Sequence, residues 1–168
     1  MCCRMKYVVA ALVFVIPAMS CAAGGPVALG PNGGKFGDWT AATYGSGDAK
    51  ACYAFTDAVK SAPTLNKRGA VMLTVTERAG VHDEVTIGAG YNYPKDAKVK
   101  LSVGTTGIDF YTQGQTAFTT GGSDAVAAFK NGASAEAVST GPHGHDVTDD
   151  FSLTGFSGAY SAIASACS

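Results

Sequence analysis

The sequence predicts a mainly β protein, an antiparallel β-sandwich-like single domain that carries two short helices. Segments of alternating and β-branched residues recur at a spacing of about 8 to 12 residues, which is typical of sandwiches and related β folds. Clusters of Gly, Pro, Asn and Asp separate these segments and mark turns. The hydrophobic period changes to that of a helix only near 123–131 and again near 155–166.

Residues 1–23 are predicted to be a secretory signal peptide. Arg4 and Lys6 supply a positive start, and Tyr7–Met19 follows as an uncharged apolar run of 13 residues. That run is shorter than the about 20 apolar residues that a transmembrane helix needs. The small residues at 20–23 suit signal peptidase, so we expect cleavage after Ala23 or one residue earlier.

Two alternatives to simple cleavage stay open at this point. The leader could remain as an uncleaved membrane anchor, or Cys21 could be lipidated and become the new N-terminus, since 18–21 loosely resembles a lipobox. In each case the rest of the chain is expected in the periplasm or outside the cell. No later stretch is long and apolar enough to cross a membrane.

The remainder of the chain is expected to hold one domain. Residues 24–34, rich in Gly and Pro, are predicted to be a flexible lead-in, and 35–168 to be the β domain. The 145 residues after the leader suffice for one core. They hold 10 basic and 13 acidic residues, and the basic ones are scattered, which argues against a nucleic-acid partner.

The individual elements follow from the local pattern. The first helix is expected to begin at Ser123 or Asp124 and to end at Asn131-Gly132, and the segments 59–67 and 141–146 are predicted to be loops. The last helix places Phe156, Tyr160, Ile163 and Cys167 on one face. Nine segments are predicted to be strands: 36–44, 50–56, 69–78, 83–91, 98–103, 108–112, 115–119, 136–140 and 149–153.

Two cysteines stay in the chain once the leader is removed, Cys52 and Cys167. In an oxidising compartment they are expected to pair. The bridge would tie an early strand to the last helix across 114 intervening residues. Two separate buried thiols are the alternative that the spacing leaves open.

The candidate metal ligands are His143, His145 and Asp146 in the loop 141–146. Two His separated by one residue would point the same way in an extended segment, and with a carboxylate they could bind Zn²⁺ or Cu²⁺. The alternative is a solvated loop that accumulates polar residues. No cofactor is otherwise expected.

Catalytic signals are sparse. His82, Asp83 and Glu84 place an imidazole beside two carboxylates, which could serve acid–base chemistry, although polar turn residues explain the run as well. No G-x-S-x-G nucleophile motif is present in the sequence. We therefore expect a protein that is not an enzyme. Tyr91 and Tyr93 share a strand face and are the candidate exposed surface for a partner or a glycan.

The ordered set of motifs resembles the invasion-associated locus B family, a group of exported proteins of alphaproteobacteria. The resemblance covers nearly the whole chain after the leader. Two departures stand out, because many members carry Cys where this chain has Thr40–Thr43 and Gln113–Gln115. The motifs that carry the resemblance are Phe36–Trp39, Cys52–Ala54, Met72–Arg78, Glu84–Ile87, Gly90-Tyr91, Phe110–Thr112, Ala117-Phe118, Ala125–Gly132 and Phe151–Phe156, followed by Ala159, Ile163 and Cys167.

The resemblance implies a periplasmic or envelope-associated β domain that acts by interaction. Its partner would be an envelope or host protein, and in a few pathogens such proteins are linked to host-cell invasion. Because the departures remove the other cysteines, one bridge is available, Cys52 to Cys167. The family offers no catalytic residues to transfer. The alternative function is a periplasmic metal-binding protein that uses His143 and His145.

Overall fold

The computed structural model describes residues 25–167, so the predicted signal peptide, the candidate lipidation site Cys21 and the last residue lie outside the described part. Within that part, twelve strands form one antiparallel sheet, accompanied by two 3₁₀ turns, Gly47–Ala49 and Pro142–Gly144, and by three longer helical segments. The strands are β1 Val27–Ala28, β2 Lys35–Phe36, β3 Trp39–Tyr44, β4 Ala51–Asp57, β5 Lys60–Ala62, β6 Met72–Arg78, β7 Val81–Gly88, β8 Lys98–Val103, β9 Thr106–Gln113, β10 Thr116–Phe118, β11 Ser134–Thr140 and β12 Asp146–Ser152. The helical segments are α1 Pro31–Gly34, α2 Gly122–Asn131 and α3 Phe156–Ala166.

The sheet runs in the order β1-β3-β4-β6-β7-β10-β9-β8-β11-β12-β5, with β2 paired to β3. The sheet is curled, since hydrogen bonds join strands that are far apart in this order. The indole Nε1 of Trp39 in β3 donates a hydrogen bond to the Ser152 carbonyl in β12 at 3.0 Å. The Val59 amide, between β4 and β5, donates to the Asp150 carbonyl at 2.8 Å. A single curled sheet thus encloses a core as the two layers of a sandwich do.

The alternating pattern of each strand decides which face lines the core. Leu73 and Val75 in β6 point inward, while Thr74 and Thr76 between them point outward. The enclosed face is closed by the two longer helices. Phe156 of α3 packs edge-on against Trp39, with ring centroids 4.8 Å apart, and against Phe129 of α2 at 5.3 Å.

The Cys52–Cys167 bridge predicted above is confirmed, with Cα atoms 5.9 Å apart. It joins β4 to the residue that follows α3. A second contact lies beside it, since the Lys50 ammonium donates a hydrogen bond to the Ala166 carbonyl at 2.6 Å. The end of α3 is therefore fastened to the sheet both covalently and by an ionic donor.

The mainly β antiparallel class and both predicted helices are confirmed. The loop predicted at 59–67 is wrong in part, because Lys60–Ala62 forms β5 and pairs with β12. The loop predicted at 141–146 ends earlier, since Asp146 already begins β12. The lead-in contributes β1, which pairs with Thr43 and Ala42 of β3. Such two- and three-residue strands are too short to show a period in the sequence.

Candidate functional site

The predicted metal ligands His143, His145 and Asp146 lie apart from other ligand-type side chains. His143 occupies a tight turn with φ 69°, so the segment is not extended there and the argument that both imidazoles face the same way fails. All three residues are exposed. In the range 25–167, no three His, Cys, Asp or Glu side chains gather as they would around a metal ion. The geometry therefore does not support the predicted metal site.

Tyr91 and Tyr93, predicted to form an exposed surface, are half-buried at one end of the curled sheet. Their rings meet edge to face with centroids 5.4 Å apart. The Tyr91 hydroxyl shares a hydrogen bond with Ser139 Oγ at 2.9 Å, and the guanidinium of Arg68 lies over its ring at 5.0 Å. Both rings thus belong to a packed cluster.

A buried ion pair organises this cluster. The Arg68 guanidinium donates two hydrogen bonds to the Asp149 carboxylate, at 2.8 and 2.7 Å, and its Nε donates to the Ala89 carbonyl at 2.8 Å. Ser61 Oγ of β5 donates to the same carboxylate at 2.6 Å. The two charged side chains are only 7% and 4% exposed. The pair ties the 63–71 loop and β5 to β12, which is a structural role.

The same burial changes the acidity of the two tyrosines. Desolvation raises the pKa of Tyr93, and the neighbouring Tyr91 hydroxyl and the Asp149 carboxylate raise it further. Desolvation also raises the pKa of Tyr91, although its hydrogen bond to Ser139 and the Arg68 charge oppose the shift. Both phenols therefore stay protonated to a higher pH than ordinary tyrosines do.

His82, at the start of β7, is part of a polar network at the other end of that strand from the segment that carries Tyr91 and Tyr93. Its Nδ1 lies 2.8 Å from Oε2 of Glu77, and the Asp83 amide donates to Oε1 of the same carboxylate at 3.0 Å. The Glu77 side chain is 5% exposed, whereas the His82 ring is 68% exposed. A buried carboxylate thus orients an imidazole whose outer edge faces solvent.

The other two members of the predicted acid–base run have partners of their own. Asp83, at φ 54°, accepts a hydrogen bond from the Tyr160 hydroxyl of α3 at 2.7 Å. The Lys130 ammonium of α2 lies 4.1 Å from the centre of the Tyr160 ring. Burial, together with the Asp83 hydrogen bond and charge, raises the pKa of Tyr160. Glu84 instead pairs with Arg78. The three residues therefore engage three partners and do not converge as one catalytic group.

A groove opens beside this network. It has a volume of about 450 Å³ and runs between the start of β7 and the start of α2. One wall is aromatic, because Tyr111 of β9 stacks on Phe118 of β10 with centroids 5.7 Å apart and ring planes 22° apart. His82 and Glu84 form the polar wall, and Thr119, Thr120 and Ser123 supply hydroxyls. We call this the aromatic groove.

The aromatic groove continues onto the outer face of the sheet. Cross-strand pairing aligns one outward-facing residue from each neighbouring strand into a row. The row consists of Phe55 on β4, Thr74 on β6, Thr86 on β7, Phe118 on β10, Tyr111 on β9 and Lys98 on β8. Tyr111 is 50% exposed. On its other side, the loop 119–121 borders a second groove of about 810 Å³ between α2 and the β8–β9 turn.

The aromatic groove carries the kinds of group that bind ligands. An imidazole held by a carboxylate is one half of a catalytic relay, and a nucleophile on its second nitrogen would complete it. Among residues 25–167, the His82 ring has a single side-chain partner, Glu77. The groove next to it instead offers an accessible aromatic surface, hydroxyls and paired charges, which are the means of recognition.

Sequence reasoning missed Glu77 and the Tyr111–Phe118 pair. The sequence does contain a signal for Glu77, because this residue continues the inward-facing positions of Leu73 and Val75. A charge at such a position needs a partner. Tyr111 also had one, since it alternates with the core residue Phe110 and must face outward. That Tyr111 meets Phe118 depends on the β9–β10 register, which one strand alone does not reveal.

In the part of the chain that the structure describes, none of the helices has the length and apolar character needed to span a bilayer.

No curated protein and no solved structure matches the chain. Residues 39–164, which run from the buried tryptophan of β3 to the last helix, match the family model described as Invasion associated locus B (IalB) protein. The chain therefore belongs to the invasion-associated locus B family.

Proposed function

We propose that this protein is an exported, non-enzymatic recognition domain that binds a component of the bacterial envelope or of a host-cell surface. The observation that carries the proposal is the aromatic groove, in which the half-exposed Tyr111 stands against Phe118 beside hydroxyls and His82. The charged leader pattern at 1–23 and the bridge between Cys52 and Cys167 support export into an oxidising space. A contribution to host-cell invasion is part of the same proposal and rests on the family's name.

The aromatic groove supports this function better than the tyrosine pair near β12. Tyr91 and Tyr93 are engaged by Ser139, Arg68 and each other, so exposing them to a partner would break a packed cluster. Tyr111 is accessible without any rearrangement. Recognition surfaces that are largely formed before binding lose less conformational entropy when they bind.

Retention on surfaces tests the proposal. The mature, oxidised chain is labelled and added to isolated envelopes and to host cells, and saturable binding is measured. Tyr111→Ala should lose most of the binding. Tyr44→Ala is the matched control, because Tyr44 is 49% exposed and Tyr111 is 50% exposed, and it should bind as the wild type does.

Two outcomes would contradict the proposal. One is binding that Tyr111→Ala and Tyr44→Ala reduce equally, since the aromatic groove would then have no special role. The other is a turnover activity that His82→Gln abolishes, since the network around His82 would then be catalytic.

A further inference from the structure

We propose that the aromatic groove binds an uncharged saccharide chain. This inference rests on the proposed function and names its ligand class. A sugar ring has a face of aliphatic C–H groups and a rim of hydroxyls, so a site for it needs an accessible aromatic ring with polar groups around it. Tyr111 supplies the ring and Phe118 supports it from one side.

The polar groups of the aromatic groove suit hydroxyls in number and kind. Thr119, Thr120 and Ser123 can each donate and accept a hydrogen bond, as sugar hydroxyls do. His82 lines the groove, and its ring, held at Nδ1 by Glu77 and 68% exposed, can offer its second nitrogen to a hydroxyl.

The charges around the groove indicate an uncharged ligand. No Lys or Arg is among the residues that line it within 25–167. Its two carboxylates are already paired, Glu84 with Arg78 and Asp83 with the Tyr160 hydroxyl. Lys98 lies beside Tyr111 on the next strand but does not line the groove. An anionic chain would thus meet carboxylates and no Lys or Arg on the groove walls, and a cationic chain would meet carboxylates that already have partners.

A protein partner fits this groove less well. The centre of a protein interface needs several large apolar side chains that become buried together. Among the described residues, the other exposed large apolar side chains are scattered and lie on other segments: Val27, Tyr44, Val59 and Val138. One accessible aromatic ring with hydroxyls around it offers too little apolar area for the centre of a protein interface. Its size matches that of a sugar ring.

The row on the outer face indicates the direction in which a bound saccharide chain would run. Phe55 lies three strands from Phe118 in the sheet order, with Thr74 and Thr86 between them. At strand spacings of about 4.8 Å, the two aromatic positions are about 14 Å apart. An extended saccharide that stacks on Tyr111 can therefore run across the threonines toward Phe55, and longer oligomers should bind more tightly than a monosaccharide.

Calorimetric titration of the mature, oxidised chain tests the inference. The probes are an uncharged oligomer of N-acetylglucosamine, representing cell-wall sugars, an uncharged oligomer of mannose, representing host glycans, and an anionic polyuronate fragment. We expect one uncharged probe to bind and the polyuronate not to bind. Tyr111→Ala should weaken that binding about tenfold, the effect of losing one aromatic contact of about 1.4 kcal/mol.

The variants separate the ring from the fold. Tyr111→Phe keeps the ring and should bind within about twofold of wild type, and Tyr44→Ala should bind as wild type. Binding that Tyr111→Ala leaves intact, or binding of the polyuronate as tight as that of the uncharged probes, would overturn the inference. If neither uncharged probe binds while retention on envelopes or host cells still requires Tyr111, the saccharide assignment is wrong and the recognition function stands.

Discussion

Two carboxylates of this protein are buried to nearly the same degree and serve different purposes. The Asp149 side chain is 4% exposed and accepts both terminal nitrogens of Arg68, whose charge is permanent. The Glu77 side chain is 5% exposed and faces His82, whose charge depends on protonation. The first pair is closed within the fold, while the second presents an oriented ring to the aromatic groove.

Arg68→Ala should be strongly destabilising because it leaves the Asp149 carboxylate buried without its cation. We expect the free energy of unfolding to fall by about 3 to 5 kcal/mol. Urea unfolding of the oxidised chain measures it. Arg78→Ala is the matched control: the Arg78–Glu84 pair is exposed, so its loss should cost less than about 1 kcal/mol. Equal costs for the two variants would show that burial does not distinguish the pairs.

The tyrosines with raised pKa values predict alkaline instability. Tyr93 stays protonated in the folded protein at a pH where the unfolded chain ionises, so the folded state binds more protons. Stability is therefore fully present below about pH 10, the ordinary tyrosine pKa, and falls as the pH rises above it. Tyr93→Phe should make this fall shallower. Urea midpoints across that range, with phenolate absorbance as the direct readout, check the effect, and an unchanged slope would contradict it.

Among the elements, α2 and the start of β7 form the aromatic groove by close contact. Gly122, at the first position of α2, leaves no room for a side chain, since a Cβ there would clash with the Asp83 carbonyl oxygen. That carbonyl belongs to the start of β7, which also carries His82. The groove is therefore shaped by a close approach of two backbone segments.

Gly122→Ala should push the start of β7 away from α2 and lower the free energy of unfolding by about 1 to 3 kcal/mol, the usual range for overpacking. Gly121→Ala is the control, because a Cβ at Gly121 would meet its nearest atom at 3.7 Å, an ordinary contact. Thermal unfolding and groove binding should both change in the first variant and not in the second. Similar stability and binding in the two variants would contradict the proposed packing of the start of β7 against α2.

The longer elements could be predicted because each carries its own period. β6 alternates between inward Leu73 and outward Thr74, and α3 places Phe156, Tyr160 and Ile163 on one face. The short edge strands β1 and β5 could not, since their two and three residues pair only because the sheet curls toward them. The turn at His143 was not predicted either, because the amino-acid composition does not reveal that this residue adopts a positive φ.

At the scale of the whole molecule, the strand order was beyond the sequence. Alternation identifies which residues face a core, but it does not say that β7 pairs with β10 and β11 with β8. The aromatic groove depends on that order, because it brings Tyr111, Phe118 and His82 together from three strands. The bridge between Cys52 and Cys167 was predictable because only these two cysteines lie outside the predicted leader.

The bridge should contribute substantially to stability, because it closes a long loop with a sequence separation of 115 residues. The double variant Cys52→Ala/Cys167→Ala should lose about 5 kcal/mol in the loop-entropy model. Urea unfolding gives the loss, and intact mass before and after reduction shows whether the native chain carries the bridge. A chain isolated from the envelope with both thiols free would contradict this part of the account.

The most direct test of the central claim is a hydrogen-exchange footprint of the mature, oxidised chain, free and bound to envelopes or host-cell surfaces. Slower exchange on binding is expected at the start of β7, along β9 and β10, and in 119–123, with little change around Tyr91 and Tyr93. Protection centred on Tyr91 and Tyr93, or on the edge strands β1 and β5, would contradict it, because recognition would then take place on a different face of the sheet.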